Sequence, residues 1–160
     1  MTASLRRAQI LAGLVPALLL AGAWAFQLVG KLFPCEMCHW QRWPHYAALA
    51  FALLSFVAGG PRTTRTLVAG AAALVCVSGL IGVFHAGVEY YWWQGITACT
   101  QTVSTAGLTT QQSLERLMAA PIVRCDQAQW SFAGISLAGW NAILSFAGAA
   151  AIVWQLRRRG

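Results

Sequence analysis

Ile10–Gly30 reads ILAGLVPALLLAGAWAFQLVG, a run without a single Asp, Glu, Lys or Arg. A helix that crosses the hydrocarbon core of a bilayer needs about 20 predominantly apolar residues, and this stretch supplies them. Working outward, three more uncharged runs follow at Trp43–Gly60, Thr66–Val88 and about Ile135–Leu156. A closed barrel, the other way to satisfy backbone polar groups in lipid, needs short alternating strands that these runs do not show. The expected fold is therefore an all-α membrane protein. Four transmembrane helices, at about 10–30, 43–60, 66–88 and 135–156, form one integral unit over 1–160. Loops at about 31–42 and 89–134 join them on one side.

Composition agrees. Of 160 residues, 58% are hydrophobic and only 9% charged, against about 25% charged in a soluble domain. The net charge of +7 is a topology signal and gives no reason to expect a nucleic-acid partner. Arg6, Arg7, Arg62, Arg65, Arg157, Arg158 and Arg159 fall on one side of an even-numbered bundle, whereas Lys31, Arg42, Arg116 and Arg124 fall on the other. The positive-inside rule puts both termini in the cytoplasm and both cysteine-bearing loops outside, which in a bacterial inner membrane means the periplasm. Ala21-Gly22-Ala23 resembles a signal-peptide cleavage site, but the apolar run continues past it to Val29, longer than a usual h-region. A retained helix is expected.

Four of the five cysteines lie outside: Cys35 and Cys38 in the first loop, Cys99 and Cys125 in the second. The oxidising side of a membrane permits disulfides and the cytosol does not, so this partition has redox meaning. Cys76, in the middle of the third run, is expected to pack as a small buried hydrophobe. In the second loop, Thr109 and Gln112 of TTQQSLERLMA (109–119) read as a capping box, and Pro121 ends the helix. Leu114, Leu117 and Met118 share one face, so this short amphipathic helix either lies on the lipid boundary or simply connects.

The stretch PCEMCHWQR (34–42) carries the chemistry. C-x-x-C is a redox dithiol or half of a metal site, and with His39 it also spells the c-type haem attachment signature. A haem would be squeezed into a loop of about a dozen residues and would leave Cys99 and Cys125 without a task. A four-cysteine zinc site would want a second C-x-x-C. Structural staples remain open as well: closing the Cys99–Cys125 loop would stabilise by roughly 3–4 kcal/mol, whereas a two-residue C-x-x-C loop constrains little. Arg42 favours the redox dithiol. It lies one helical turn beyond Cys38 and, if the second helix begins near that cysteine, projects on the same face. A fixed positive charge there depresses a thiol pKa.

Taken together, PCEMCHWQR at the end of the first helix, the four helices, Cys99 and Cys125 in the second outer loop, and WSFAGISLAGWN (130–141) resemble the disulfide bond formation protein B (DsbB) family. These are quinone-dependent thiol oxidases of the bacterial inner membrane, and the DsbA–DsbB–quinone system is what keeps the periplasm oxidising. The resemblance implies a catalytic set of Cys35, Cys38, Cys99 and Cys125. A reduced DsbA-like thioredoxin-fold partner attacks a Cys99–Cys125 disulfide at Cys99. Cys125 then attacks Cys35 and releases Cys38 as a thiolate beside Arg42, and the electrons pass to ubiquinone or menaquinone. It further implies a quinone site at Cys38, Arg42 and, near the outer end of the third helix, His85. The spacing from His85 to the next cysteine departs by one residue from the family pattern. His39, where family members vary, has no implied role. The aromatic residues Trp40, Trp43 and Tyr90–Trp93 read as an interfacial belt.

Overall fold

The computed structural model describes residues 2–100, 107–118 and 123–158. It is mostly helical. Among the described residues there are four long helices, α1 (Ala3–Leu28), α2 (Glu36–Val57), α3 (Pro61–Glu89) and α5 (Leu137–Arg157), and one short one, α4 (Thr110–Met118). α1, α2 and α3 each begin before their apolar run. α1 begins with Arg6 and Arg7 inside it, capped by the Thr2 hydroxyl, which accepts from the Leu5 amide. α3 starts at Pro61, where a missing N–H costs nothing.

Three of these helices, α1, α3 and α5, are long and apolar enough to cross a membrane. α2 has the length, but Cys38, His39, Gln41, Arg42 and His45 fill its first half, which lowers its apolar content. The helices pack as a ring: α1 on α2, α2 on α3, α3 on α5 and α5 back on α1, with a weaker α1–α3 diagonal. Small residues form much of the seam. Ala8, Ala12, Ala48, Ala52, Ala71, Ala72 and Ala149 meet Val68, Val75 and Ile152 in one buried cluster. Close backbone approach over small side chains is how helices associate where lipid removes the hydrophobic drive between them. Large apolar side chains such as Leu18, Leu53, Leu80 and Trp154 point outward. Cys76 is partly buried and packs against the alanine cluster.

The ends of the chain gather at one pole. The Ser4 hydroxyl donates to the Arg158 carbonyl at 3.1 Å, and Arg65, just after the α2–α3 turn, donates to the Leu156 carbonyl at 2.7 Å. The cysteine-bearing segments lie at the other pole.

The last helix, expected at about 135–156, is preceded by structure not foreseen from the sequence. Ser131–Phe132 (β1) and Ile135–Ser136 (β2) pair as an antiparallel hairpin, and α5 begins only at Leu137. Ala133 and Gly134 both have positive φ, 53° and 76°, the conformation of a two-residue type I′ turn. The Tyr90 hydroxyl holds the hairpin to the end of α3, donating to the Gly134 carbonyl at 3.0 Å and accepting from the Ser136 amide at 2.8 Å. In α4 the capping box forms in both directions: the Thr109 hydroxyl accepts from the Gln112 amide and the Gln112 side chain accepts from the Thr109 amide. Leu114 and Met118 are exposed. Ala119 and Pro121, expected to end this helix, lie outside the described residues, as do the side chain of Leu117 and Arg159.

Candidate functional site

The site starts from one residue that serves two purposes. Cys35 is the N-cap of α2, its sulfur accepting the Cys38 amide at 3.3 Å. That cap turns both sulfurs of the C-x-x-C toward each other, 2.9 Å apart, with Cys35 donating. The two thiols are unbonded, and one hydrogen bond drives them apart electrostatically. Stabilised chiefly by the Cys35 S–H, the Cys38 thiol sits below the ordinary thiol range, although burial opposes the shift and Arg42 adds only a small favourable part. The same bond, reinforced by burial, pushes Cys35 well above it. The pair is asymmetric: Cys35 donates its proton toward Cys38, and Cys38 is the more readily ionised of the two sulfurs.

Cys99 and Cys125 are joined in a disulfide, with Cα atoms 5.4 Å apart. This bond removes the four-cysteine zinc arrangement. Cys35, Met37, Val88, Cys99 and Cys125 form a single buried cluster, with Cys38, Trp40, Phe84 and Val123 packed around it. The fold therefore brings the loop before α2 and the two cysteines of the loop after α3 together at the C-terminal end of α3. Gln129 of the second loop also donates to the Phe33 carbonyl of the first at 2.7 Å.

His85 is buried beside the dithiol. Its Nε2 lies 3.6 Å from the Cys35 sulfur and 3.7 Å from Glu89 Oε1. Its tautomer follows from its neighbours. The Gln41 amide nitrogen donates to the Met37 carbonyl at 3.3 Å and approaches His85 Nδ1 at 2.7 Å, while its oxygen accepts from Asn141 at 2.9 Å. Turning the Gln41 amide over would set oxygen against oxygen at Met37, so Nδ1 is the acceptor and Nε2 carries the proton. Asn141 in turn faces its oxygen to His45 Nε2 at 3.1 Å. His45 also meets the Ser78 hydroxyl at 2.8 Å. Three sulfur or imidazole atoms, from Cys35, Cys38 and His85, lie within 4.8 Å of one another.

Arg42 does share the Cys38 face but reaches across to α1. Its guanidinium donates to Gln27 Oε1 at 2.6 Å and to the Ala23 carbonyl at 3.2 Å, and lies over the Trp24 ring. It is only 8% exposed. Arg42, Cys35, Cys38, His85 and Glu89 all line one cavity of about 510 Å³, whose remaining walls are mostly apolar side chains of α1 and α5. That is the size and lining of a small-molecule pocket.

Sequence reasoning thus named the residues of the dithiol, Arg42 and His85, and passed over Gln41, Asn141, Glu89 and Gln27. One signal for them existed. Cys38, Arg42 and His45 recur one turn apart on α2, and Asn141 is an amide in an apolar run; polar residues in such runs face the bundle interior. His39 is exposed and enters none of these contacts.

Comparison with known proteins points one way. The family model described as disulfide bond formation protein DsbB matches residues 5–155. Three relatives, each named disulfide bond formation protein B, span the chain. The protein from Stutzerimonas stutzeri is 29% identical, covering 98% of this chain and 98% of its own. That from Nitrosococcus oceani is 30% identical, over 90% of this chain and 86% of its own. The protein from Marinobacter nauticus is 32% identical, over 81% of this chain and 79% of its own. No solved structure matches the chain.

Proposed function

The chain belongs to the DsbB family of disulfide-forming membrane oxidoreductases, and from that premise we propose that it reoxidises a periplasmic DsbA-like dithiol protein and passes the electrons to membrane quinone. It does so as one integral unit of the bacterial inner membrane, α2 crossing along with the other three long helices. Both termini are cytoplasmic and both cysteine pairs periplasmic.

The observation that carries this reading is the single buried cluster holding the reduced Cys35–Cys38 pair against the oxidised Cys99–Cys125 pair, with a cavity beside it. Two dithiol couples in contact can exchange; two staples would have no reason to meet. Cys99 takes the incoming thiolate of the partner. Its departure from Cys125 frees a nucleophile already packed against Cys35. Once quinone has oxidised Cys35 and Cys38 to a disulfide, attack of the freed Cys125 thiolate on Cys35 breaks that bond and expels Cys38, whose thiolate the nearby Arg42 guanidinium favours. Cys99 and Cys125 are 6% and 0% exposed, so the second loop must lift before the partner can reach them.

The cavity fits a quinone head group. Its walls are mostly apolar, Arg42 is a cation among them that can donate to a carbonyl oxygen, and Cys38 stands at the same wall. When bound, quinone supplies a two-electron acceptor soluble in lipid. Arg42 and His85 hold and orient, and the apolar walls exclude water. Ubiquinone and menaquinone both meet these requirements.

Thiol trapping tests the relay. Cys125→Ser is expected to accumulate a mixed disulfide between Cys99 and the partner. A partner captured through Cys35 instead would reverse the order of the sulfurs.

A further inference from the structure

Closing the Cys35–Cys38 bond releases two electrons; when Cys38 reacts as the thiolate toward which Cys35 donates its hydrogen bond at 2.9 Å, one proton leaves with them. Conversion of a quinone to a quinol consumes two electrons and two protons. One proton is missing from the dithiol, and His85 does not supply it readily, because Gln41 holds it as the neutral Nε2–H tautomer.

Glu89 stands where that proton is needed. Its side chain is 6% exposed and its Oε1 lies 3.7 Å from His85 Nε2. Its other oxygen, Oε2, is buried without a hydrogen-bond partner. Among the described residues no lysine or arginine pairs with it: Arg42 is bound to Gln27 and Ala23, and Arg124 to Asp126. A carboxyl buried without a cation keeps its proton, since a bare carboxylate in apolar surroundings is costly. An acid with one oxygen engaged and the other unpartnered, in the wall of the cavity that also holds Cys38 and Arg42, is a donor awaiting an acceptor.

We propose that Glu89 is the proton donor to quinone at this site, giving the second of the two protons while Cys35 gives the first. The step balances: the Cys35–Cys38 bond forms, both sulfurs are oxidised, the quinone becomes quinol, and the Glu89 carboxylate left behind is reprotonated from periplasmic water. This rests on the quinone-reducing reading above. The groups facing Glu89 are His85 on its own helix, Cys35 and Cys38 from the start of α2, and Ser136 from β2, with Arg42 and Arg124 along the cavity.

The test has two arms. In the resting protein without quinone, infrared spectra at neutral pH should contain a protonated-carboxyl band that Glu89→Gln removes; a carboxylate there overturns the proposal. In turnover with a reduced thioredoxin-fold donor and a soluble quinone, Glu89→Gln should slow quinol formation about 100-fold at neutral pH with little change in KM, in line with general-acid catalysis. The deficit should shrink as the pH falls and solvent protons substitute. Glu89→Asp should recover part of the rate, a rescue that a merely structural role does not predict. An active wild type with an equally active Glu89→Gln overturns this inference alone. A wild type inert toward quinone overturns the inference and the functional reading together.

Discussion

Cys35 and Cys38 carry the same functional group, yet one hydrogen bond moves them in opposite directions. Because the thiolate is the reactive form, alkylation of Cys38 is expected to persist at pH values where a free thiol is silent. Cys35→Ala removes the donor and should move that pH profile upward, whereas Cys35→Ser keeps an O–H donor and should move it less. Superimposable profiles for all three proteins would show that the hydrogen bond is not what holds the thiolate. Arg42 makes a separate contribution. Its guanidinium is buried over Trp24 and clamped to α1, and its part in lowering Cys38 is small. Arg42→Ala is therefore expected to raise the KM for quinone by about tenfold, the effect of losing about 1.4 kcal/mol of binding, with a smaller change in thiolate absorbance. Steady-state kinetics at varied quinone concentration check this, and an unchanged KM would remove Arg42 from the binding site.

The elements around these residues are set by a few local devices. Ser136 ends the hairpin and caps α5, its hydroxyl accepting the Gly139 amide at 3.2 Å. Ser136→Ala should cost about 1 kcal/mol, measured as a lower midpoint in detergent unfolding. At Gly82 the backbones of α3 and α5 come close: a Cβ there would lie 2.9 Å from the Ala138 carbonyl oxygen and 3.1 Å from the Ala142 amide. Backbone cannot step aside as a side chain can. Gly82→Ala should therefore destabilise by about 1–3 kcal/mol, and a neutral effect would mean that the two helices are not this close.

How much was legible followed the strength of each signal. Uncharged runs announced the long helices because lipid leaves the backbone few alternatives. Helix ends were less legible, since caps and amphipathic turns extend helices past the apolar run, as Arg6 and Arg7 do in α1. The hairpin before α5 was missed because two-residue strands have no periodicity to read, and Ala-Gly is a weaker turn signal than Asn-Gly. Cysteine positions and the C-x-x-C spacing made the dithiol visible. Gln41 and Asn141 were not, because their importance lies in which partner each amide end faces, and only packing decides that.

At the scale of the whole molecule, arginine-rich ends gather at one pole and the four outer cysteines at the other. Under the proposed function, that polarity would let electrons enter from a periplasmic protein and leave into the bilayer. The most direct measurement of this account is quinone reduction by the purified protein, supplied with a reduced thioredoxin-fold donor, in wild type and in the four single variants Cys35→Ser, Cys38→Ser, Cys99→Ser and Cys125→Ser. The account predicts turnover by the wild type and loss of catalytic turnover in every variant. Wild-type protein that leaves both ubiquinone and menaquinone unreduced, or a Cys38→Ser protein that still turns over, would contradict it.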